Sequence, residues 1–247
     1  MSTNDPTALL FTAVYEGDED AVVRLLRSGA DPESVDEDGQ TALYLASVSD
    51  RPDIVRLLLA AGAAPDRLSA GSDAPLCGAA CGGHTEVVRA LLAAGAGPDT
   101  VEELGFTALA WALRCGHVLV TEALLAGGAD PDRPGPGGES PLVAAARRGS
   151  PGCVRALLAH GARGRGEALA EARRWLGLDV EAELRAGLER AYGSGRRCVV
   201  HRYPADGGVI VEVQLLDAEG RPVAGNDQQT GHAEIVGVLE GGLGGGG

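Results

Sequence analysis

A period of 33 residues constrains this 247-residue chain more than any other feature. Five segments fall into register when counted from Ala8, Thr41, Ala74, Thr107 and Ser140. Position 3 is always Leu (Leu10, Leu43, Leu76, Leu109, Leu142), and position 6 is always Ala (Ala13, Ala46, Ala79, Ala112, Ala145). Position 10 holds Gly17, Asp50, Gly83, Gly116 and Gly149. Positions 18 and 19 are Leu-Leu in every copy, and position 22 is Gly29, Gly62, Gly95, Gly128 and Gly161. Such self-similarity marks units that cannot bury an apolar face alone and must stack to make a core.

The spacing reads directly as local structure. Positions 3 and 6 share one face of a short helix, and the small Ala admits a second helix closely. Gly at position 10 turns the chain between antiparallel helices. The second helix carries Val-Val-x-x-Leu-Leu or Ile54-Val55-x-x-Leu58-Leu59, and the position-22 glycine closes it as a left-handed cap. Asp31-Pro32, Pro65-Asp66, Pro98-Asp99 and Pro131-Asp132 then stop the helix and start an extended finger. The finger ends at position 32 in Gly39, Gly105 or Gly138, with Ser72 the exception.

With Gly39-Gln40-Thr41-Ala42-Leu43, Gly83-His84-Thr85-Glu86-Val87-Val88, Gly116-His117 and Gly128-Ala129-Asp130-Pro131-Asp132, the chain resembles the ankyrin repeat family over residues 8–163. The resemblance implies a mostly α solenoid of helix-turn-helix units with β-fingers. Three departures stand out. The family's position-4 histidine is Phe11, Tyr44, Cys77, Ala110 and Val143. Proline at position 2 survives as Pro75 and Pro141. Thr at position 1 is replaced by Ala in the first and third repeats, which removes helix-start hydrogen bonds.

Beyond the fifth repeat, helices at 167–176 and 179–190 read as a worn sixth repeat serving as a terminal cap, with Trp175 in its core. The solenoid thus extends over 1–192. A small α+β extension comes next, over 193–240. Its strands are expected at 198–203 and 209–216, joined by a turn at 204–208, with a helix at 230–240. Gly231-His232-Ala233-Glu234-Ile235-Val236 echoes the second half of a repeat, so a degenerate repeat remains an alternative for this stretch. Residues 241–247 read as a disordered Gly tail.

Composition excludes several chemistries. There are 35 acidic residues against 21 basic ones, all Arg, for a net charge of −14. Phosphate would be repelled, so nucleic acid is not expected as a partner. Without lysine there is no Schiff base, Ser-Lys dyad or phosphate-loop lysine. No apolar run is long enough for a membrane span, and the N-terminus lacks a signal-peptide pattern. Five cysteines without framework spacing read as free thiols in a reducing cytoplasm. The Ala/Gly/Arg bias fits a GC-rich, bacterial coding sequence for a stand-alone ankyrin protein.

Metal, nucleophile and phosphate sites find little support. Cys81, His84, Cys115 and His117 fall close together in adjacent repeats, but no Cys-x-x-Cys supports a metal site, and none is expected. There is no Gly-x-Ser-x-Gly, and the Gly-rich 134–139 stretch carries two prolines where amide donors are needed. No cofactor is expected.

The variable slots carry more information. The resemblance makes positions 8, 9, 30, 31 and 33 partner-reading, on the concave face. They hold Tyr15, Glu16, Glu37, Asp38, Gln40, Val48, Ser49, Asp73, Cys81, Glu103, Leu104, Phe106, Arg114, Cys115, Glu139, Arg147 and Arg148. Leu104 and Phe106 have no evident internal reason to be apolar, and exposed aromatics anchor interfaces. Trp111 reads first as steric matching to Gly78 and Ala144, second as an anchor. Charge is segregated: net −14 over 1–139, +6 over 140–203 and −6 over 204–247. The acidic fingers should attract a basic partner, and the Arg-rich block should meet an acidic partner or the acidic C-terminal extension. The expected function is therefore non-enzymatic: a monomer binding one protein with a basic patch, as a regulator or antidote. The alternatives are an activity carried by 193–240, or a structural spacer.

Overall fold

The computed structural model describes residues 6–70 and 73–241. The chain divides into two compact units, Met1–Gly138 and Glu139–Gly247.

The first unit is four helix pairs. α1 (Pro6–Glu16), α3 (Ala42–Val48), α5 (Pro75–Gly82) and α7 (Ala108–Cys115) form an inner row. α2 (Glu19–Arg27), α4 (Pro52–Ala60), α6 (Thr85–Ala93) and α8 (Val118–Ala126) form the outer row. The position-3 leucines and position-6 alanines are buried in each pair, as the periodicity requires. Thr41 and Thr107 cap α3 and α7 by accepting the amides of Tyr44 and Ala110 at 3.1 and 3.2 Å. Ala74, which heads α5 in the same extended conformation, makes no such bond.

Two inter-repeat ladders hold the stack. At position 11, His84 Nε2 pairs with the Val48 carbonyl at 3.1 Å and His117 Nε2 with the Cys81 carbonyl at 3.0 Å. In each case position 11 reaches position 8 of the preceding repeat. At position 26, Glu33 accepts the Ala64 amide at 2.7 Å, Asp66 the Gly97 amide at 3.0 Å and Asp99 the Asp130 amide at 3.2 Å. The acid that follows the finger proline in these three repeats, Glu33, Asp66 or Asp99, is therefore an acceptor for the next repeat, a role that reading Pro as a stop signal did not disclose.

The position-22 glycines adopt φ between +91° and +102° in this unit, the left-handed cap expected for them. At position 10 Asp50 takes φ +52°, and it is the one non-glycine at positive φ among the described residues.

The second unit opens with the fifth pair, α9 (Pro141–Arg148) and α10 (Pro151–Ala159). Beyond α10 the chain departs from the expected cap. α11 (Arg165–Leu176) packs on α9 as the next inner helix, with Ala168-Leu169-x-x-Ala172 buried in the positions of Ala42-Leu43-x-x-Ala46. Its outer-helix partner is not the adjacent α12 (Val180–Tyr192) but α13 (His232–Gly241), which packs on both α11 and α10. Aligned on Gly83-His84, the segment Gly231-His232-x-x-Ile235-x-x-x-Leu239 supplies the remaining half-repeat, with Ile235 and Leu239 fully buried. His232 Nε2 lies 3.2 Å from the Arg147 carbonyl, again position 11 to position 8. The sixth repeat is thus split by 55 residues, 176–230, between its two helices.

That insertion has its own core. β1 (Cys198–Ala205), β2 (Gly208–Leu216) and β3 (Pro222–Gln229) form an antiparallel sheet in the order β1-β2-β3, with His201 opposite Glu212 and Glu212 opposite Asp227. Leu184 and Leu188 of α12 pack on Val211, Val213 and Leu215 of β2. The apolar stripe of α12 therefore serves this sheet rather than the solenoid. β3 was not foreseen, because Pro222-Val223-Ala224-Gly225-Asn226-Asp227 lacks an alternating apolar pattern. Gly241 ends α13 instead of starting a tail; residues 242–247, like Ser72, lie outside the described residues.

Two substitutions test the repeat assignments by urea denaturation. A Cβ at Gly95 would meet nothing within 4 Å, so its cost is conformational alone. Gly95→Ala should lower stability by about 1 kcal/mol. Ala74→Ser, at a site whose Ala-Pro-Leu matches the capped Ser140-Pro141-Leu142, should raise it by about 1 kcal/mol. An unchanged midpoint in either variant contradicts the corresponding assignment.

Candidate protein-binding surface

The fingers of the first unit are tight hairpins held by their own backbone and by short polar side chains. In the first finger Asp36 Oδ1 accepts the amides of Asp38 and Gln40, at 3.0 and 2.8 Å, and Val35 bridges Thr41. With the loop pinned from inside, Glu37 and Asp38 stand exposed at its tip. Gln40 is half-buried, and its Oε1 has no hydrogen-bond partner. In the third finger the Glu102 amide donates to Phe106 and the Gly105 amide to Glu102, which leaves Glu103 exposed and Leu104 68% exposed.

Phe106 does have an internal partner. Its ring stacks on Trp111 of α7, with centroids 4.3 Å apart and planes at 22°. The Arg114 guanidinium lies 5.6 Å from the Phe106 centroid and 5.5 Å from that of Trp111. Trp111 Nε1 donates to Glu102 at 2.6 Å. The tryptophan is therefore fixed by a ring on one side and a carboxylate at its edge, so it is a positioned platform more than a filler of space.

Glu102 is a buried carboxylate. Burial raises its pKa, and the Asp73 charge adds to the rise. Hydrogen bonds from Trp111 and Cys77 pull the other way. Burial, with help from Glu102, also pushes the Cys77 thiol far up, so Cys77 is not a nucleophile at neutral pH. Sequence reasoning singled out Glu103 and passed over Glu102. The available signal was position 29, where Asp36, Ser69 and Glu102 each present a polar side chain to a finger turn; Ser69 Oγ lies 3.3 Å from Thr41 Oγ1.

The structure brings Asp73, Glu102, Phe106, Trp111 and Arg114 into one neighbourhood, with Glu103 and Leu104 at its finger. Tyr15, 58% exposed, and the exposed Glu16 end α1. Cys81 and Val48, also exposed, occupy the equivalent places on α5 and α3. His84 and His117 make the carbonyl bonds already described, and no group of three potential metal ligands occurs among the described residues.

Arg147 and Arg148 belong to the second unit and are engaged within it. Arg147 pairs with Glu139 at 2.6 Å and Glu171 at 2.9 Å. The Arg148 side chain is 11% exposed and pairs with Asp227 of β3 at 2.5 Å, so it is withdrawn from any partner. Arg155 binds Asp206 at 3.2 Å and Glu234, Arg173 binds Glu240 at 2.6 Å, and Arg165 donates to the last carbonyls of α13. Asp206 also accepts the Gly152 amide in the first turn of α10, at 2.6 Å. Of the two counterparts open to the basic block, these arginines meet the acidic C-terminal segment. Glu171 gathers Arg174, Arg147 and Trp175, and these bonds, Arg174 first, hold its carboxyl at about 2.

No helix among the described residues is long and apolar enough to cross a membrane. A family model for ankyrin repeats in three copies matches residues 1–69 and 65–134, and a model for a single ankyrin repeat matches 137–163. No curated protein gives a significant match. Ankyrin repeats are protein–protein interaction modules, typically without enzymatic activity. With those matches spanning well over half its length, this chain belongs to the ankyrin repeat family.

Proposed function

We propose that the protein is a non-catalytic binding module that holds one protein partner against the fingers and inner helices of its first unit. The observation that carries this reading is Leu104, 68% exposed beside the fixed Phe106–Trp111–Arg114 cluster. An apolar side chain presented next to a rigid aromatic platform suits a buried anchor on a partner. Glu37, Asp38 and Glu103 rim the same face and suit a basic patch, which they would steer into place. The module acts by occupying its partner's surface, as a regulator or an antidote does, and works as a monomer. Its five cysteines carry no disulfide, which favours a reducing compartment such as the cytoplasm.

Capture from native extract with wild-type protein, set beside a Leu104→Ala/Phe106→Ala variant, tests the site. The partner should be retained by the first and lost by the second, with dissociation at least about tenfold faster, as expected when an anchor worth more than about 1.4 kcal/mol is removed. Glu37→Gln with Asp38→Asn should slow association and flatten its salt dependence, because rim charges are screened over about 8 Å at physiological salt. A partner that binds both variants like wild type contradicts this surface.

Glu102 adds a pH signature. Its folded pKa lies above the ordinary 4.5, so the fold binds the extra proton. Its contribution is favourable at low pH and is lost as pH rises above 4.5. Glu102→Gln, which keeps the acceptor for Trp111, should raise the urea midpoint at pH 7 and change it little at pH 4. Glu171 works with the opposite sign: its stabilisation is present above 4.5 and is lost as pH falls toward about 2. Glu171→Gln should therefore destabilise at pH 7. A fall in the midpoint at pH 7 for Glu102→Gln, or no change for Glu171→Gln, contradicts these assignments.

A further inference from the structure

We propose that the split sixth repeat is a pH-responsive clasp. A proton on His232 releases α13 from α10 and α11 and uncovers the apolar surface that Ile235 and Leu239 cover. The clasp is independent of the partner-binding surface proposed for the first unit.

His232 is the point at which the interrupted chain re-enters the repeat. It is 2% exposed. Its Nε2 lies 3.2 Å from the Arg147 carbonyl, which Gln228 Nε2 also approaches at 2.5 Å. Its ring stacks on Trp175 of α11, 5.8 Å between centroids and 8° between planes. Gly149 lies against the ring so closely that a Cβ there would sit 2.7 Å from His232 Cε1. The Gly231 amide donates to the Gly149 carbonyl at 3.0 Å. A neutral imidazole fits this slot by donating from Nε2 to Arg147. A second proton, on Nδ1, brings a full charge into a site walled by an indole and backbone.

The surrounding charges are already spoken for. On α9, Arg147 is held by Glu139 and Glu171, and Arg148 by Asp227 of β3. On α11, Glu171 also binds Arg174, whose guanidinium lies 5.4 Å from the Trp175 centroid. On α10 and α13, Arg155 and Glu234 pair with each other. Each of these carboxylates thus has an arginine, and an imidazolium would have to compete for it. Burial holds the His232 pKa below 6.5, outweighing the Arg147 carbonyl and the Glu171 charge. The stabilisation given by neutral His232 is present above 6.5 and is lost as pH falls through and below that value. Glu171 stays ionised down to about 2 and does not titrate in this window.

The first unit provides the internal comparison. His84 makes the same position-11 bond, yet its side chain is 19% exposed and lies 3.7 Å from the Asp50 carboxylate. What differs at His232 is enclosure: the insertion returns over it through Gln228 and Gln229, both buried. Release of α13 needs no chain break elsewhere, because the helix is joined to the rest of its repeat only through the 55-residue insertion.

Hydrogen exchange of the full chain, monitored by mass spectrometry from pH 8 to 5 and corrected for the intrinsic rate, tests the clasp. Protection of α13 should fall by up to about tenfold for each unit by which the His232 pKa is depressed, while protection of α8 stays level. His232→Gln, a neutral side chain that can still donate to Arg147, should abolish the pH dependence; His117→Gln should leave it intact. An NMR titration of wild-type His232 should give a pKa below 6.5, and decides the matter if the glutamine variant does not fold. Level protection of α13 in wild type, an undiminished pH dependence in His232→Gln, or a His232 pKa at or above 6.5 would overturn the proposal.

Discussion

Within each unit the repeats depend on one buried contact: a helix face of Leu at position 3 and Ala at position 6 pressed against the helices of the neighbouring repeat. No single pair encloses enough apolar surface to stand alone, so each is ordered by its neighbour. Alanine at position 6 sets the spacing, and the hydrogen bonds from position 11 to position 8 and from position 26 to position 24 fix the register. These bonds satisfy backbone groups that close stacking would otherwise leave unpaired. The acidity of the first unit is partly structural for the same reason: Glu33, Asp66 and Asp99 are spent on amides of the following repeat.

A stack must also end. Here the last repeat keeps its inner helix in sequence and takes its outer helix from 55 residues further on. Between them the chain builds a second small core of α12 and three strands. The Arg-rich block over 140–203 and the acidic segment after 204 are the electrostatic form of this closure. Arg148, Arg155 and Arg173 each hold a carboxylate that arrives with the returning chain. Arg148–Asp227, the most enclosed of the three, places β3 beside α9.

Much of this was legible in the residues, for reasons that can be named. Period 33, the left-handed glycines and the capping threonines are local, and each declares its geometry through the backbone. The charge blocks announced a pairing without specifying partners. The split repeat was half visible: Gly231-His232-Ala233-Glu234-Ile235-Val236 showed the outer helix, but the apolar stripe of Val180, Leu184 and Leu188 matched an adjacent outer helix equally well. Only the Val211, Val213 and Leu215 face of β2 decides which surface α12 serves. At the candidate surface, the expectation that Leu104 and Phe106 have no internal reason to be apolar fails for Phe106, because the ring that engages it lies five residues on, across a helix cap. Glu102 was missed because acids on fingers are common, and its position-29 spacing marks a finger turn without declaring that the side chain is buried.

The central claim is that residues 167–175 and 231–240 form one repeat that the intervening segment merely interrupts. Excising 176–230 and joining Trp175 to Gly231 tests it most directly, since the junction restores the spacing of an uninterrupted repeat. Hydrogen exchange at pH 8 should then show α13 protected alongside α10 and α11. Protection of α10 and α11 with rapid, unprotected exchange throughout α13 would contradict the account and make α13 part of the insertion.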